Sequence, residues 1–426
     1  MRYERYRTVN IPTPISIEEA RSIVKEQVKP GAAETVSVLD AVGRVLAEPL
    51  FSDIDVAPFD DSAMDGFAVV AASLDTAAED APVSLECVAH IGAGSVYEET
   101  LLPGQCARIM TGAPIPAGAD AVVKIEIVTF EGEGTVGDKV HFTAPVKLGN
   151  NIRRAGDEAK AGDKICEAGE LVTPAGAGLL AACGNLQVRV YKRPVVGLIS
   201  IGSELVEASE IPGPGMIRNS NIWAMQANVA AAGGIAKVYP TVADDLDAIK
   251  AVYKQAAQEC DAVVSTGGAC LGDFDLTPGI VRELGTIYFE RVNMKPGKSQ
   301  PFGTIDGTPV FVLSGNPAAS SVGFEMYVRL ALRIMEGHTA LDRPTVQARV
   351  TSDVRKKDPR VFLERGILSM GADGQLEVTR LKKQSSALYG ALQKCNCLAV
   401  LPENTDAGSM VTCIVTCAGE ELPLKA

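Results

Sequence analysis

The sequence of 426 residues contains only three histidines and one tryptophan, and its net charge is −13. Nucleic-acid backbones and anionic membrane surfaces are bound through an excess of lysine and arginine, so this charge argues against both partners. No apolar run approaches the ~20 residues that span a bilayer, and the first residues contain no apolar signal core. We therefore expect a cytoplasmic protein that binds neither nucleic acid nor membrane.

Motifs for several common sites are also missing. The ten cysteines show no CxxC spacing and lie far from the histidines in sequence. Buried cysteines are therefore favoured over a metal site, even at the pairs Cys395/Cys397 and Cys413/Cys417. There is no Walker A motif, and no GxGxxG motif follows the first strand of the α/β region. These absences disfavour a P-loop ATPase and a Rossmann dehydrogenase.

The length predicts about two to four domains, and the patterning divides the chain accordingly. An amphipathic helix at 15–28, capped by Ser16, is followed by short strands and turns between about 52 and 145, which predict a small β-barrel or sandwich. From Val195 to Met335 strands and helices alternate, which predicts a parallel sheet with helices on both faces. After Pro344 the pattern becomes β again.

Three glycine-bearing loops follow predicted strands of the α/β region, after Ile199, Ser265 and Leu313. The carboxyl ends of parallel strands meet at one edge of a sheet, where ligands bind, so we expect the three loops to lie together. The third loop, Ser314–Pro317, directly precedes a long helix, whose N-terminus favours an anion. The sequence therefore predicts a phosphate-binding edge.

Charged residues near this edge indicate the chemistry. Lys295 and Lys298 flank a Pro-Gly turn and would supply point charges for phosphate. Any one acid here is more often a helix cap or a solvated side chain, and Asp244 is a plausible cap. Taken together with the lysines, however, the acids favour Mg²⁺-assisted chemistry on a nucleotide or a phosphorylated organic ligand. The acids in question are Glu204, Asp244, Asp273 and Asp275.

Motifs spread over nearly the whole chain resemble, in the same order, those of the MoeA family. This family comprises the molybdopterin molybdenumtransferases and is related to the E domain of gephyrin. The motifs are Ser62–Gly66, Met110–Ala113, Arg153–Gly162, Gly202–Leu205, Thr266–Asp275, Lys295–Lys298 and Gly315–Pro317.

The resemblance implies a multidomain α/β plus β fold. A central doubly wound, mostly parallel α/β molybdopterin-binding domain would be joined by two small β domains and an elongated linking domain. The expected bounds are 1–52 and 147–193 for the two segments of the linking domain, 53–146 for the inserted β-barrel-like domain, 194–340 for the α/β domain and 341–426 for the C-terminal β-barrel domain. A homodimer is also implied, in which the α/β edge faces the partner's inserted domain.

The resemblance further implies Mg²⁺-dependent insertion of molybdate, a substrate, into adenylylated molybdopterin with release of AMP. A molybdopterin adenylyltransferase and molybdoenzymes are possible partners. The implied catalytic positions are Asp65, Thr111, Glu204 and Asp275, and the implied metal ligands are Glu204, Asp244 and Asp275. The implied substrate-binding positions are Gly267, Gly268, Arg291, Lys295, Lys298, Ser314, Gly315, Asn316, Pro317, Arg360 and Ser386.

Two alternatives stay open. One is molybdopterin adenylylation, because the adenylyltransferases are similar to residues 194–335 alone; the two extra β domains argue against it. The other is a dimeric scaffold of the gephyrin E-domain type, against which the acids and lysines at every loop argue. The sequence departs from the usual family pattern at Ser203, Cys270 and Ser314.

Overall fold

The computed structural model describes residues 13–268 and 277–416. The chain forms two compact units: one is Thr35–Val190, and the other combines the residues up to Glu34 with those from Tyr191 onward. Within the described residues, no helix combines the length and the apolar character needed to cross a membrane.

The unit Thr35–Val190 is mainly β-structure. It contains two short 3-10 helices (Ala71–Leu74 and Ile125–Ile127) and one α-helix, α2 (Pro174–Ala182). This helix begins after Thr173, whose hydroxyl accepts a hydrogen bond from the N–H of Gly176. Its strands are β1 (Ala33–Ser37), β2 (Leu50–Phe51), β3 (Asp61–Ser62), β4 (Gly66–Val69), β5 (Val83–Ile91), β6 (Gln105–Ile109), β7 (Ala121–Lys124), β8 (Thr129–Phe130), β9 (Lys139–Phe142), β10 (Ile152–Arg153), β11 (Lys164–Cys166) and β12 (Gln187–Tyr191).

Six of these strands form one sheet in the order β7-β4-β6-β5-β9-β8. The sheet curves around a core that includes Phe67, Leu85 and Phe142, all of them buried. Gly66 lies where two strands approach closely, because a Cβ there would stand 2.1 Å from the carbonyl oxygen of Val123. The sequence prediction of a small β-structure in this region is confirmed.

The second unit begins with α1 (Ile17–Gln27), which Ser16 caps by accepting a hydrogen bond from the N–H of Glu19. An α/β region follows. Its elements are β13 (Val195–Ser200), β14 (Leu205–Val206), β15 (Ile217–Arg218), α3 (Asn221–Ala231), β16 (Ile235–Val238), α4 (Leu246–Glu259), β17 (Ala262–Thr266), α5 (Thr277–Leu284), β18 (Gly285–Arg291), β19 (Met294–Lys295), β20 (Ser299–Ile305), β21 (Thr308–Leu313), α6 (Pro317–Gly323), a π-helical turn (Phe324–Val328) and α7 (Arg329–Met335).

The main sheet of this region has the order β16-β13-β17-β21-β20-β18. The first four strands are parallel, whereas β20 and β18 are antiparallel additions at one edge. Strand residues alternate between two cores. Leu198 and Val264 face a core shared with α1, α3 and α6–α7, while Ile199 and Val263 face a core shared with α4 and α5. The predicted doubly wound, mostly parallel sheet is therefore confirmed.

A second β-structure completes this unit. Its elements are β22 (Thr345–Val350), β23 (Val361–Met370), β24 (Leu376–Arg380), α8 (Gly390–Lys394), β25 (Cys397–Leu401) and β26 (Met410–Val415). Because β23 pairs with both β24 and β25, the strands β23-β24-β22-β26-β25 close into a ring. The short strand β19 extends it by pairing with β23, which sets Lys295 beside Phe362.

Cysteine burial follows the sequence prediction in most places. Cys397 and Cys413 are buried on neighbouring strands of the ring. Cys395 differs, since it directly follows α8 and is only half-buried. Cys417 lies outside the described residues.

Candidate active site

The three glycine loops of the α/β region leave one edge of the sheet. Strand β17 lies between β13 and β21 and is parallel to both. The segments after Ser200, Thr266 and Leu313 therefore emerge side by side, as the sequence predicts. Gly267 is required at this edge because its φ is 93° and a Cβ would stand 2.0 Å from the carbonyl oxygen of Ile201. Gly268, the next residue, also has a positive φ of 62°.

A small cleft of about 80 Å³ lies among these loops. Glu204, Gly267, Gly315 and Pro317 line it, so the structure brings together four of the predicted site residues. Asn221, at the start of α3, holds the third loop by donating to the carbonyl oxygen of Gly315 at 2.9 Å.

The C-terminal β-structure supports this arrangement through a side-chain relay. The hydroxyl of Tyr389 donates to the Oδ1 atom of Asn221 at 2.6 Å. The amide of Asn221 is thereby oriented with its Nδ2 toward Gly315. The relay shows that the loop is positioned by residues far away in sequence.

Asp244 and Asp245, two neighbouring carboxylates near the first loop, have different hydrogen-bond partners. Asp245, not Asp244, caps α4, since its side chain accepts from the N–H of Ala248 at 2.8 Å. Asp244 accepts instead from the N–H and the hydroxyl of Ser203, at 3.0 and 2.9 Å. Asp244 is thus bound to the residue next to Glu204, on the loop that the sequence predicts to hold metal.

Two carboxylates at one loop suit Mg²⁺, which proteins commonly bind through one or two carboxylates together with phosphate oxygens of a substrate. Asp273 and Asp275, the other predicted acids, lie outside the described residues. Within residues 13–268 and 277–416 no group of three or more potential ligands comes together. The two described carboxylates, Glu204 and Asp244, suit a metal ion that also binds oxygens of a substrate.

A larger cavity of about 630 Å³ opens beside the third loop. It lies between the hairpin that joins β18 to β20, the start of α6, and the C-terminal ring. Seven predicted substrate-binding residues line it: Arg291, Lys295, Lys298, Ser314, Asn316, Arg360 and Ser386. Ser314 and Asn316 belong to the same loop as Gly315 and Pro317, so this loop contributes to both the cavity and the small cleft.

The hairpin presents two lysines to this cavity. Gly297, between them, has a φ of 93°, and a Cβ there would stand 2.4 Å from the Nε2 atom of Gln300. Gln300 is buried and donates from Nε2 to the carbonyl oxygen of Ala319 in α6 at 3.1 Å. The hairpin is therefore fixed against the helix that follows the third loop, and Lys295 and Lys298 are exposed on either side of it.

The start of α6 is less open to an anion than its sequence suggests. Pro317 has no N–H, and the N–H of Ala318 donates to the carbonyl oxygen of Ser386 at 2.7 Å. Ser386 therefore enters the cavity wall through its backbone contact with the helix. The free positive charge of the cavity comes mainly from side chains and not from this helix N-terminus.

Arg365 is a cavity residue that the sequence reasoning missed. Its side chain is 1% exposed, yet it lines the cavity. One Nη donates to the carbonyl oxygen of Ser385 at 3.1 Å, whereas Nε has no hydrogen-bond partner among the described residues. Burial lowers the pKa of this guanidinium from its ordinary value, but arginine stays charged at neutral pH.

A signal for Arg365 was present in the sequence. Glu364 and Arg365 interrupt the otherwise apolar run Val361–Met370, and charges within a buried strand are usually paired or functional. In the structure Glu364 pairs with Arg380 across the ring. Both residues line the cavity, Glu364 with its charge paired and Arg365 with an unpaired Nε among the described residues.

Asp65 and Thr111, the other predicted catalytic residues, belong to the unit Thr35–Val190. The backbone N–H and the hydroxyl of Thr111 both donate to Oδ1 of Asp65, at 2.7 and 2.8 Å. These two hydrogen bonds, the backbone one first, hold the pKa of Asp65 below its usual range. Both residues are exposed, and they form one polar site.

Comparison with known proteins identifies the family. Three family models match consecutive parts of the chain: the MoeA N-terminal region (domains I and II) at residues 15–184, a probable molybdopterin binding domain at 197–334, and the MoeA C-terminal region (domain IV) at 347–415. A molybdopterin molybdenumtransferase of Bacillus subtilis is 37% identical over 395 residues, which cover 92% of this chain and 91% of the relative. The chain belongs to the MoeA family.

Other members agree with this assignment. A molybdopterin molybdenumtransferase of Staphylococcus aureus strain COL is 34% identical over 418 residues, covering 96% of this chain and 98% of the relative. The crystal structure of a molybdopterin biosynthesis MoeA protein from Pyrococcus horikoshii OT3 superimposes with a TM-score of 0.81 at 29% identity, covering 95% of this chain and all of that one. The resemblance stated from the motifs is therefore confirmed.

Proposed function

We propose that this MoeA-family protein is a molybdopterin molybdenumtransferase that inserts molybdate into adenylylated molybdopterin with release of AMP and depends on Mg²⁺. The observation that supports this most is the cavity of about 630 Å³ lined by Arg291, Lys295, Lys298, Arg360 and Arg365, on a chain whose net charge is −13. The lining also includes one carboxylate, Glu364, which pairs with Arg380, and Arg360 is paired with Asp358. The remaining positive charge suits a ligand with several negative charges.

The cationic side chains would bind the substrate phosphates and the incoming oxyanion. Phosphoryl chemistry has little covalent work for a protein to do, so positioning and electrostatic stabilisation supply most of the rate. Lys295 and Lys298 act as point charges, while Arg365 offers directed N–H donors. The charge that develops on the phosphate oxygens as AMP departs is stabilised by the same groups.

Glu204, Asp244 and Asp275 would hold Mg²⁺ next to the small cleft. Bound there, the ion would neutralise phosphate charge as a Lewis acid. The carboxylates would fix its position, and Ser203 orients Asp244 through two hydrogen bonds. Gly267 lines the cleft and Gly268 follows it, and the absence of side chains at both would let a phosphate approach the backbone.

The decisive test is AMP release from adenylylated molybdopterin, measured with and without Mg²⁺ and with molybdate and tungstate side by side. We expect release that requires both the metal ion and an oxyanion, and that is abolished in a folded Asp275→Ala variant. Formation of adenylylated molybdopterin from ATP instead would indicate an adenylyltransferase. Molybdopterin binding without any AMP release would indicate a scaffold.

We further propose a cytoplasmic homodimer in which Asp65 and Thr111 serve the partner's cavity. Asp65→Asn and Lys295→Met variants, each inactive alone, should then complement one another after mixing and subunit exchange. About half of the dimers would be mixed, each with one intact site, so activity should recover to about a quarter of the wild-type value. No recovery, although mixed dimers are present by native mass spectrometry, would contradict the shared site.

A further inference from the structure

Asp358 contacts two of the cationic side chains that line the cavity. Its carboxylate accepts from Nε of Arg360 at 2.8 and 3.0 Å, and it also pairs with Nη2 of that residue. The backbone N–H of Arg360 donates to Oδ1 of Asp358 at 3.1 Å. The Nζ atom of Lys295 lies 3.8 Å from Oδ2 of Asp358.

Most of the directed donors of Arg360 are used within the protein. Besides the fork to Asp358, its Nη1 donates to the carbonyl oxygen of Met294 at 3.5 Å. The charge of Arg360 is therefore compensated within the protein. This arginine lines the cavity, but it does not present a free positive charge there.

The loop that carries Asp358 is firmly held. Nζ of Lys356 donates to the carbonyl oxygens of Arg360, Leu401 and Pro402 at 2.7, 3.0 and 2.7 Å. The same ammonium lies 4.8 Å from the ring centroid of Phe362, and Nζ of Lys295 lies 4.7 Å from it. The contacts of Lys356 hold the loop independently of the Asp358 carboxylate, which itself adds one hydrogen bond to the backbone of Arg360. The carboxylate also places its charge beside Arg360 and Lys295.

We propose that the carboxylate of Asp358 competes with a bound anion for Arg360 and Lys295. It pairs with these two side chains until the anion displaces it. It thereby sets the affinity of the cavity for oxyanions and its preference among them. The inference rests on the proposed function, because it concerns the same cavity. The inference extends the proposed function, because it assigns a role in anion specificity to Asp358, a residue that neither the motifs nor the family match singles out.

The competition has a quantitative signature. Removing one negative charge changes the electrostatic potential at the anion position by a fixed amount, and the resulting free-energy gain is proportional to the charge of the anion. A dianion such as molybdate should therefore gain twice as much in the logarithm of its affinity as a monoanion of the same shape, perrhenate. A loss of loop structure would not produce this ratio.

The experiment measures binding of molybdate and perrhenate to the full-length protein by calorimetry at pH 8 and low ionic strength. For Asp358→Asn we expect about tenfold tighter molybdate binding and about threefold tighter perrhenate binding, after allowance for the partial exposure of the pair. Asp358→Ala, which removes the same charge, should move both affinities in the same direction. Melting temperatures of both variants report whether the fold is kept.

Asp406→Asn is the matched control. Asp406 lies in the same β-structure and pairs with Arg355 at the surface, where its side chain is 75% exposed. This variant makes the same change in net charge away from the cavity, so both affinities should stay within about twofold of the wild type. A change as large as that in Asp358→Asn would show that overall charge, not local competition, is responsible.

The inference is overturned if folded Asp358→Asn and Asp358→Ala bind molybdate no more tightly than the wild type, if none of the proteins binds the anion, or if perrhenate gains as much as molybdate. Failure of the proposed function has a different appearance. In that case the anion affinities change as described, but no AMP is released from adenylylated molybdopterin by any of the proteins.

Discussion

The hydroxyl and the backbone N–H of Thr111 converge on the same carboxylate oxygen of Asp65, at 2.8 and 2.7 Å. Hydrogen bonds to the ionised form favour it, so the pKa of Asp65 is held below its usual range. Asp65 is therefore a carboxylate at any pH near neutrality. In this form it can accept hydrogen bonds or bind cations.

Thr111→Val should raise the pKa of Asp65 toward, but not fully to, its ordinary value, because the backbone N–H of Thr111 still donates. Carbon-13 NMR titration of the Asp65 carboxyl measures this directly. Thr129→Val, in strand β8 of the same unit and exposed, should leave that titration unchanged. An unshifted Asp65 titration in Thr111→Val would show that the hydroxyl does not stabilise the carboxylate.

The same substitution has a consequence for stability. A depressed folded pKa means that Asp65 stabilises the fold at pH values above its unfolded pKa, and that this contribution is lost as the pH falls through the folded pKa. In Thr111→Val the loss should begin at the same pH, because the unfolded pKa is unchanged, but it should end at a higher pH and be smaller in total. Denaturant unfolding of both proteins between pH 7 and pH 3 measures the difference, and identical pH dependences would contradict it.

Arg365→Met should separate binding from stability. The buried guanidinium faces the cavity with Nε unpaired among the described residues, so we expect oxyanion binding to weaken by about ten- to a hundredfold. The free energy of unfolding should stay the same or rise, since an apolar side chain avoids the desolvation of a buried charge. Calorimetric titration and urea unfolding give the two quantities.

Arg349→Met provides the comparison for this prediction. Arg349 pairs with Asp373 and Glu377 on the outside of the same ring, and its replacement should leave oxyanion affinity unchanged. Unaltered binding in Arg365→Met, or an equal loss in Arg349→Met, would exclude Arg365 from the ligand site.

Gly267→Ala should destabilise the protein more than its backbone angle alone explains. A left-handed residue that is not glycine costs about 1–2 kcal/mol, and the close approach to the Ile201 carbonyl should add about 1–3 kcal/mol. Gly307→Ala is the control, because Gly307 has a φ of 85° in the same sheet but open space around its Cβ position. Equal losses of unfolding free energy in the two variants would contradict the steric argument.

The sequence predicted the parts of the site that follow from local pattern and sheet direction. The loops after Ser200, Thr266 and Leu313 share an edge because parallel strands have no other arrangement. Lys295 and Lys298 flank a turn that the sequence also predicts. This turn lies beside the third loop, and residues of both line the cavity.

What the sequence could not predict depends on pairing between distant residues. From the sequence Asp244 was a plausible cap of α4, but its carboxylate accepts hydrogen bonds from Ser203, which lies 41 positions away. Arg360 was expected to bind substrate, and nothing in the sequence indicated that its neighbour Asp358 compensates its charge. The contact between Ala318 and the Ser386 carbonyl depends on tertiary packing, for which no local pattern exists.

The most direct test of the central claim, that this cationic cavity binds the reacting anions, is the rate of AMP release in Lys298→Met. Lys298 is exposed on the hairpin and lines the cavity, so with saturating Mg²⁺ and molybdate the rate should fall by about a hundredfold. Lys254→Met, on the exposed side of α4, should release AMP at the wild-type rate. A Lys298→Met rate equal to that of the wild type would contradict the account.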